Sequence, residues 1–125
     1  MKGFVTNIEK ATETNTNFRK VLFTGKFCQL VVMNLKPGEE IGVEVHEKVD
    51  QFFRVEKGKA KFIIDADVVD VEENFAVIVP AGSRHNVINT SQTKELKLYT
   101  IYSPPNHPDG TIHKTKEEAE AAEHS

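Results

Sequence analysis

Cysteine, long apolar runs and an excess of basic residues are scarce or missing in this sequence, and each shortage excludes a class of protein. The single cysteine, Cys28, excludes an intramolecular disulfide framework and a zinc site built from cysteines. No apolar run approaches the roughly 20 residues that a membrane-spanning helix requires. Lysine and arginine total 16 against 19 aspartate and glutamate residues, which gives a net charge of −3. A nucleic-acid-binding protein would normally carry the opposite balance.

The N-terminal residues 1–17 are rich in threonine and asparagine and lack the apolar stretch of a secretory signal peptide. We therefore expect a cytoplasmic protein that binds neither nucleic acid nor membranes. A chain of 125 residues, 38% of them hydrophobic, is long enough for one domain with one core. Its five histidines are the residues that most invite a functional explanation.

Most of the chain is predicted to be β-structure. Short segments rich in Val, Ile, Leu and Phe recur about every 8–12 residues, and Gly, Pro, Asn and Asp separate them. This spacing is typical of an all-β sandwich or barrel. The predicted strands are 19–24, 27–35, 41–46, 51–56, 59–65, 68–72, 75–79, 85–89 and 96–102. Core or cavity-lining positions in them are Phe53, Val55, Phe62, Ile64, Phe75, Val77 and Val79, and Cys28 is expected to be buried.

Helical patterning is found only at the C-terminal end. Thr115 and Glu118 have the spacing of a capping box, and residues 116–123 are good helix formers. The three prolines between 103 and 110 predict extended or turn geometry before that helix. We expect a single domain over 1–125, with an N-terminal arm (1–17), a barrel over about 18–102, and a C-terminal flap and helix (103–125).

Two polar segments combine metal-ligand residue types with strand and turn patterns. In the first, Glu44 and His46 lie two positions apart on one predicted strand, so their side chains point to the same face. In the second, His85 follows a Pro-Ala-Gly turn. Each histidine taken alone could be an ordinary buried residue with satisfied hydrogen bonds. Two imidazoles and one carboxylate together are sufficient to hold a divalent metal ion, and non-haem Fe(II) oxygenases use that donor set.

These segments resemble the two signature motifs of the cupin superfamily. The first motif normally reads Gly, five residues, His-x-His, three or four residues, Glu, six residues, Gly, and the corresponding positions here are Gly38, Glu44, His46, Gln51 and Gly58. The second normally reads Gly, five residues, Pro-x-Gly, two residues, His, three residues, Asn, and its positions here are Asn74, Pro80, Gly82, His85 and Asn89. Asn74 suits a glycine position because asparagine tolerates the left-handed conformation.

The resemblance implies an all-β fold, the double-stranded β-helix or cupin jelly-roll barrel, here with a short C-terminal helix. It also implies an interior divalent metal (Zn, Mn, Fe or Ni) held by Glu44, His46, Gln51 and His85. One carboxylate has moved from the third ligand position to the first, so the ligand charge is unchanged. Gln51 would be a weak fourth ligand or would orient a bound water. Asp50 is the alternative at that position if a one-residue bulge turns it inward.

Longer segments around both motifs and after Tyr102 resemble a subgroup of short cupins. The members of that subgroup are often labelled as similar to type II mannose-6-phosphate isomerase. This similarity implies a small polar organic ligand and a sugar or sugar-phosphate isomerase. An Fe(II)-dependent dioxygenase and a non-catalytic small-molecule or metal-binding module are the alternatives. Tyr102 and His107 are candidates for substrate contact, although Tyr102 could have a purely structural partner.

The remaining expectations concern the charged residues, the flap and the oligomeric state. A phosphorylated substrate would need an interior or rim arginine or lysine, but Arg54 is expected on the outer face and Arg84 could lie there too. The flap, which carries His107, Asp109 and His113, could close over the barrel mouth, contact a partner subunit or do neither. The resemblance implies a homodimer, for which the Phe4-Val5 arm and the outer face at Phe52 are candidate surfaces.

Overall fold

Ten strands and two helices make up the computed structural model, which describes residues 2–123. Met1, His124 and Ser125, at the ends of the predicted arm and C-terminal segment, lie outside the described residues. In chain order the elements are α1 (Ile8–Thr14), β1 (Arg19–Thr24), β2 (Gln29–Leu35), β3 (Glu44–Val45), β4 (Asp50–Lys57), β5 (Lys59–Ile64), β6 (Asp67–Glu72), β7 (Ala76–Val79), β8 (Arg84–Asn89), β9 (Leu96–Ser103), β10 (Ile112–His113) and α2 (Lys116–Glu123).

The strands form two antiparallel sheets, and the all-β fold with a C-terminal helix is confirmed. One sheet has six strands in the order β10-β1-β2-β9-β4-β7, and the other has four in the order β3-β8-β5-β6. The inward-facing apolar side chains of both sheets pack into one cluster, in which Phe53 and Phe62 meet edge to face with their ring centroids 5.0 Å apart. Burial of this cluster is the main favourable contribution to folding.

Strand β4 displays the alternation that builds both the core and the candidate site. Gln51, Phe53 and Val55 are buried, whereas Phe52 and Arg54 are only half-buried on the other face. The outer position of Arg54, where its Nη2 donates to Asn74 Oδ1 at 3.0 Å, agrees with the sequence expectation. Because side chains alternate along a strand, β4 contributes apolar packing at its centre and a polar group near its N-terminal end.

Two turn residues occupy the conformations that the motif spacing predicted. Asn74 has a φ of 73°, so the asparagine at the glycine position does adopt the left-handed conformation. Gly58 has a φ of 97°, and a Cβ atom there would lie 2.7 Å from the carbonyl oxygen of Glu95. Gly58 therefore permits both the β4–β5 turn and the close approach of the segment that leads into β9.

A second helix, α1, contradicts the expectation of helical structure at the C-terminal end alone. Its N-cap Asn7 accepts a hydrogen bond from Lys10 N at 3.1 Å, and Thr12 is its one buried residue within the described chain. At its other end, Lys97 Nζ donates to the carbonyl oxygens of Glu13 and Asn15 at 2.7 and 3.0 Å. The helix is stabilised by capping and by contacts with the barrel, so it has no apolar stripe for a sequence pattern to detect.

Three expectations about burial and strand length are wrong because turns begin or end at other residues than predicted. Strand β2 begins at Gln29, so Cys28 is exposed in the preceding turn and is not buried. Phe75 is 46% exposed because it belongs to the turn before β7 and not to the core. The strand predicted over 41–46 is reduced to the two residues of β3.

The C-terminal flap is attached to the barrel more firmly than expected. Strand β10 pairs with β1 as the edge of the six-stranded sheet, with Arg19 opposite His113. Helix α2 follows over the predicted residues, and Thr115 Oγ1 accepts from Glu118 N at 3.1 Å, as the capping-box spacing indicated. No helix in residues 2–123 is both long and apolar enough to span a bilayer.

Candidate metal centre

Three potential metal ligands converge at one end of the barrel interior. Glu44 and His85 are directly paired across strands β3 and β8, and His46 follows Glu44 on the same face. One donor atom from each residue lies within 4.8 Å of the other two. His85 is buried, and Glu44 and His46 are half-buried. Pairing of two short strands thus brings together residues that are far apart in the sequence.

The protonation states in this cluster favour metal ligation. Burial acts to raise the pKa of Glu44, but its hydrogen bond and attraction to His46 and the charges of Arg19 and His85 outweigh burial and hold the pKa below its usual value. Glu44 Oε2 lies 3.3 Å from His46 Nε2. Burial lowers the pKa of His85, and the carbonyl of Ser83 partly opposes that effect. An ionised carboxylate beside a neutral imidazole is the arrangement that a divalent metal requires.

Gln51 lies inside the barrel, as the motif position predicted. Its side-chain Nε2 donates to Thr100 Oγ1 at 3.0 Å. Gln51 Oε1 is buried and has no hydrogen-bond partner among residues 2–123, and the buried His46 Nε2 has the Glu44 carboxylate as its neighbour at 3.3 Å. Unpaired polar atoms are costly in a protein interior unless another group satisfies them. The donor set and these two atoms therefore fit a divalent metal ion.

The alternative fourth ligand, Asp50, is ruled out by its position. Asp50 is exposed and accepts a hydrogen bond from Ala81 N at 2.9 Å. The register of β4 against β9 continues without a shift past Gln51, which pairs with Tyr102. No bulge turns Asp50 inward, so Gln51 is the residue beside the cluster.

The two predicted substrate-contact residues lie against each other next to the cluster. The His46 ring is 5.9 Å from the Tyr102 ring, which is in turn 5.1 Å from the His107 ring. Tyr102 Oη and His107 Nε2 are 3.2 Å apart. Burial raises the pKa of Tyr102 well above its usual range and lowers the pKa of His107 to about 4. Both side chains are therefore neutral near pH 7, and one hydrogen bond joins them.

The flap position of His107 is held by a fully buried glutamine that the sequence did not point to. Gln29 Oε1 accepts from the backbone N–H groups of Asn106 and His107 at 3.1 and 2.9 Å. Its Nε2 donates to the His107 carbonyl at 2.7 Å and to Thr24 Oγ1 at 3.0 Å. Of the other flap residues, Asp109 is exposed and His113 is half-buried. The flap thus covers the barrel interior through His107.

Arg19 is the main interior residue that the sequence reasoning missed. It is only 2% exposed, and its Nη1 donates to His113 Nδ1 at 3.3 Å. A signal was present in the sequence, because Arg19 and Val21 share one face of β1 and Val21 is an obvious core residue. Only Arg54 and Arg84 were considered from the sequence as interior or rim residues, so Arg19 was overlooked as an interior arginine. Arg84, in contrast, is exposed.

An open cavity of about 760 Å³ lies away from this cluster, at the β4–β5 turn and the segment before β9. Its lining is a mixture of lysine, glutamate, serine and threonine side chains together with Gly58. None of the Glu44, His46 and His85 side chains borders it. The convergent donor atoms therefore mark the functional site better than the size of this open space does.

The comparisons with known proteins agree with the geometry. Residues 31–102 match the family described as Cupin domain, and this span contains Glu44, His46, Gln51, His85 and Tyr102. The chain belongs to the cupin family. This cupin is 51% identical to the uncharacterized protein YrkC of Bacillus subtilis, over 98% of the present chain and 68% of YrkC. It is 44% identical to the uncharacterized protein L612 of Acanthamoeba polyphaga mimivirus, over 87% of the chain and 70% of L612.

A solved structure has the same fold over almost the full length of this cupin. BH2720 from Bacillus halodurans superposes with a TM-score of 0.94 and 43% sequence identity, covering 96% of this chain and 95% of that protein. More distant solved structures, at 17–20% identity, share the fold with TM-scores of 0.60–0.70. The double-stranded β-helix is thus established, and a possible metal site is part of it.

Proposed function

We propose that this cupin binds one divalent metal ion through Glu44, His46 and His85, with Gln51 as a weak fourth ligand or as a partner of a bound water. The observation that carries this proposal is the convergence of the three donor atoms within 4.8 Å. The buried Gln51 Oε1, which has no hydrogen-bond partner among residues 2–123, supports it. Two imidazoles, one carboxylate and one amide leave coordination positions open for a ligand.

The bound ligand is proposed to be a small polar organic molecule with hydroxyl, keto or carboxylate groups. A divalent metal at this position would polarise an oxygen of that molecule as a Lewis acid. Tyr102 and His107 would contribute a proton donor and acceptor beside it, since their Oη and Nε2 atoms lie 3.2 Å apart. The flap backbone, fixed by Gln29, would hold His107 in place and limit the access of water.

Two reaction classes fit this arrangement, and each has its own supporting observation. The Tyr102–His107 pair favours an isomerase, which must move a proton between neighbouring carbons of a sugar or sugar phosphate. The donor set of two histidines and one carboxylate favours the second candidate, an Fe(II)-dependent dioxygenase. A non-catalytic module that binds a small molecule or a metal would use the same cluster without either reaction.

The metal site is tested by elemental analysis of the purified protein and of single variants. We expect about one equivalent of metal in the wild type, and at least a ~100-fold loss of affinity in His46→Ala and His85→Ala, because each removes a direct ligand. Glu47→Ala is the matched control, since Glu47 is exposed and adjacent to His46. Wild-type protein that binds no metal, or ligand variants that bind as Glu47→Ala does, would contradict the proposal.

The metal found decides which reaction is tested first. Iron calls for measurements of oxygen uptake with candidate substrates, whereas zinc or manganese calls for assays of sugar and sugar-phosphate isomerisation. His107→Gln should slow an isomerisation by a factor of about 10²–10⁴ if His107 transfers the proton. Tight binding of a small ligand with neither activity would identify a binding module.

We also propose a cytoplasmic homodimer formed through the outer face of the six-stranded sheet. Ile78, Phe52 and Ile101 are aligned across β7, β4 and β9, and Ile78 is 65% exposed. The arm residue Phe4, 42% exposed, stacks on Phe23 with ring centroids 5.5 Å apart. Such an apolar strip is typical of a protein interface. A light-scattering mass near that of a single chain would contradict the dimer.

A further inference from the structure

The Arg19 guanidinium is a positive charge buried in the barrel without an acidic partner. The side chain is 2% exposed, and no carboxylate within residues 2–123 lies within ion-pair distance of it. Its Nη1 donates to a neutral acceptor, His113 Nδ1, and its Nε has no hydrogen-bond partner in the described chain. Buried arginines are normally paired, because an uncompensated charge in the interior is strongly destabilising.

Arg19 faces the same interior as the candidate metal centre. It starts the inward-facing row of β1, and Tyr102 belongs to the inward-facing row of β9, two strands away in the same sheet. The guanidinium acts on the ionisation of both Tyr102 and Glu44. Tyr102 in turn contacts the His46 ring, so it lies between the cluster and Arg19.

The charges in this interior do not balance once a metal ion is present. Glu44 contributes one negative charge, whereas Arg19 and a divalent metal contribute three positive charges, and histidines that ligate a metal are neutral. A metal bound to Glu44 would also take up a negative charge that otherwise interacts with Arg19. A neutral ligand would leave this excess uncompensated, but an anionic one would reduce it.

We propose that Arg19 binds the anionic group of the ligand, and that the ligand is a small organic oxyanion carrying a carboxylate or a phosphate. This inference rests on the proposed metal site, towards which the ligand's other oxygen atoms would point. The planar guanidinium matches the oxygen geometry of both groups and forms charge-assisted hydrogen bonds with them. The unpaired Nε–H is a donor already inside the barrel and available for such a bond.

His113 and Phe18 explain how the guanidinium can be held ready for a ligand. His113 Nδ1 accepts from Nη1, and the Arg19 Cζ atom lies 5.3 Å from the centroid of the Phe18 ring. These neutral contacts restrict the side chain without neutralising its charge. The guanidinium also interacts with the neutral Tyr102 side chain, and its Nε–H has no hydrogen-bond partner among residues 2–123.

The inference is tested with three matched probes that differ in one group: glycerate, glycerol 3-phosphate and glycerol. The thermal midpoint of the chelator-treated protein and the dissociation constants of the zinc-loaded protein are measured with each probe. The variants are Arg19→Met, which removes the charge at similar volume, and Arg19→Lys, which keeps it. Lys20→Met is the matched control, because Lys20 is the next residue on β1 and points to the opposite face.

We expect one or both anions, but not glycerol, to raise the thermal midpoint of the wild type and of Lys20→Met. The stronger response identifies carboxylate or phosphate as the natural group. Arg19→Met should bind that anion at least about tenfold more weakly, and Arg19→Lys should retain part of the binding. Without probe, Arg19→Met should be as stable as the wild type or more so, since it removes an unpaired buried charge.

The outcomes separate this inference from the metal proposal. A wild type that responds equally to all three probes, or an Arg19→Met variant that keeps the full response to the anion, would overturn the role of Arg19. An Arg19→Met variant that is less stable without probe yet still binds the anion would show a structural role instead. If the wild type retains no metal, the chelator-treated series still measures the contribution of Arg19 to anion binding.

Discussion

Two buried amide side chains, Asn89 and Gln51, lie at opposite ends of the barrel and differ in how well they are satisfied. Asn89 Nδ2 donates to the carbonyl oxygens of Leu35, Lys36 and Lys94, and its Oδ1 accepts from Ser91 N, all at 2.9–3.1 Å. Gln51 donates once, to Thr100, and its Oε1 has no partner among the described residues.

This difference in hydrogen bonding indicates that the Asn89 end of the barrel serves the fold, whereas the Gln51 end serves ligand binding. At the Asn89 end, polar groups connect loops and every amide hydrogen bond serves the fold. At the Gln51 end, Gln51 Oε1 and the Arg19 Nε–H have no hydrogen-bond partner among residues 2–123, and the Arg19 charge has no carboxylate partner there. Such groups lower stability unless a ligand satisfies them, so natural proteins retain them mainly at functional sites.

The largest effect should follow from removing the satisfied amide. Asn89→Leu removes the amide partner of three carbonyl oxygens, of which that of Leu35 is buried, and of the Ser91 N–H, and we expect the free energy of unfolding to fall by roughly 3 kcal/mol or more. Urea unfolding followed by circular dichroism measures it. Gln92→Leu, at an exposed position, is the control and should change stability by less than about 0.5 kcal/mol. Equal effects in the two variants would mean that the Asn89 network is not structural.

The matching change at the other end should affect binding more than stability. Gln51→Leu loses one hydrogen bond to Thr100 but also removes an unpaired oxygen, so unfolding of the chelator-treated protein should change by no more than about 1 kcal/mol. Metal affinity should fall by about 10–100-fold, or roughly 1.4–2.8 kcal/mol, measured by competition with a chelator. A loss of stability as large as that of Asn89→Leu would remove the proposed difference between the two ends.

The smallest effect should be a pH dependence caused by His107. Burial lowers the pKa of His107 to about 4, whereas an unfolded histidine titrates near 6.5. The unfolded chain therefore binds more protons between these values, and stability is complete above about pH 6.5 and decreases as the pH falls towards 4. Because the ring is half-buried, we expect a contribution of about 1–2 kcal/mol. Urea unfolding of the chelator-treated protein from pH 7.5 to 4.5 measures it.

His107→Gln provides the control for that titration. Glu44 and His85 also have lowered pKa values, and they add the same sign of pH dependence to both proteins. The difference between wild type and variant therefore isolates His107, and it should shrink as the pH falls. Parallel curves for the two proteins would show that His107 titrates as an ordinary exposed histidine.

The sequence was sufficient for the fold because the features that determine it are local and periodic. Gly58, Asn74 and Gly82 lie at positive-φ turns, and regular strand lengths separate such turns, so the spacing predicted an all-β sandwich or barrel, and the resemblance to the cupin motifs specified the barrel. Helix α1 was not predictable in this way. It is held by an N-cap and by Lys97, a residue more than 80 positions away in the sequence.

The residues of the candidate site could be predicted where they occupy a motif position. They could not be predicted where only the packing of the folded chain buries them. Glu44, His46, Gln51 and His85 follow from motif positions together with strand alternation. Arg19 did not, because arginine in a strand is usually solvated and only the packing of β10 and the flap encloses it. Asp50 and Gln51 are neighbours in the sequence, and only the strand register decides which of them faces inward.

Glu44 and His85 are paired across β3 and β8, so the register of these two strands determines which side chains form the candidate centre. A shift of one residue would replace this pair by side chains from the opposite face, such as Val45, and would abolish the cluster. A shift of two residues would restore the orientation of the side chains but change the identity of the inward residue. Insertions and deletions between Gly38 and Glu44 should therefore be tolerated only when the loop before β3 absorbs them, so that the length of this short segment, and not only its residues, is subject to selection.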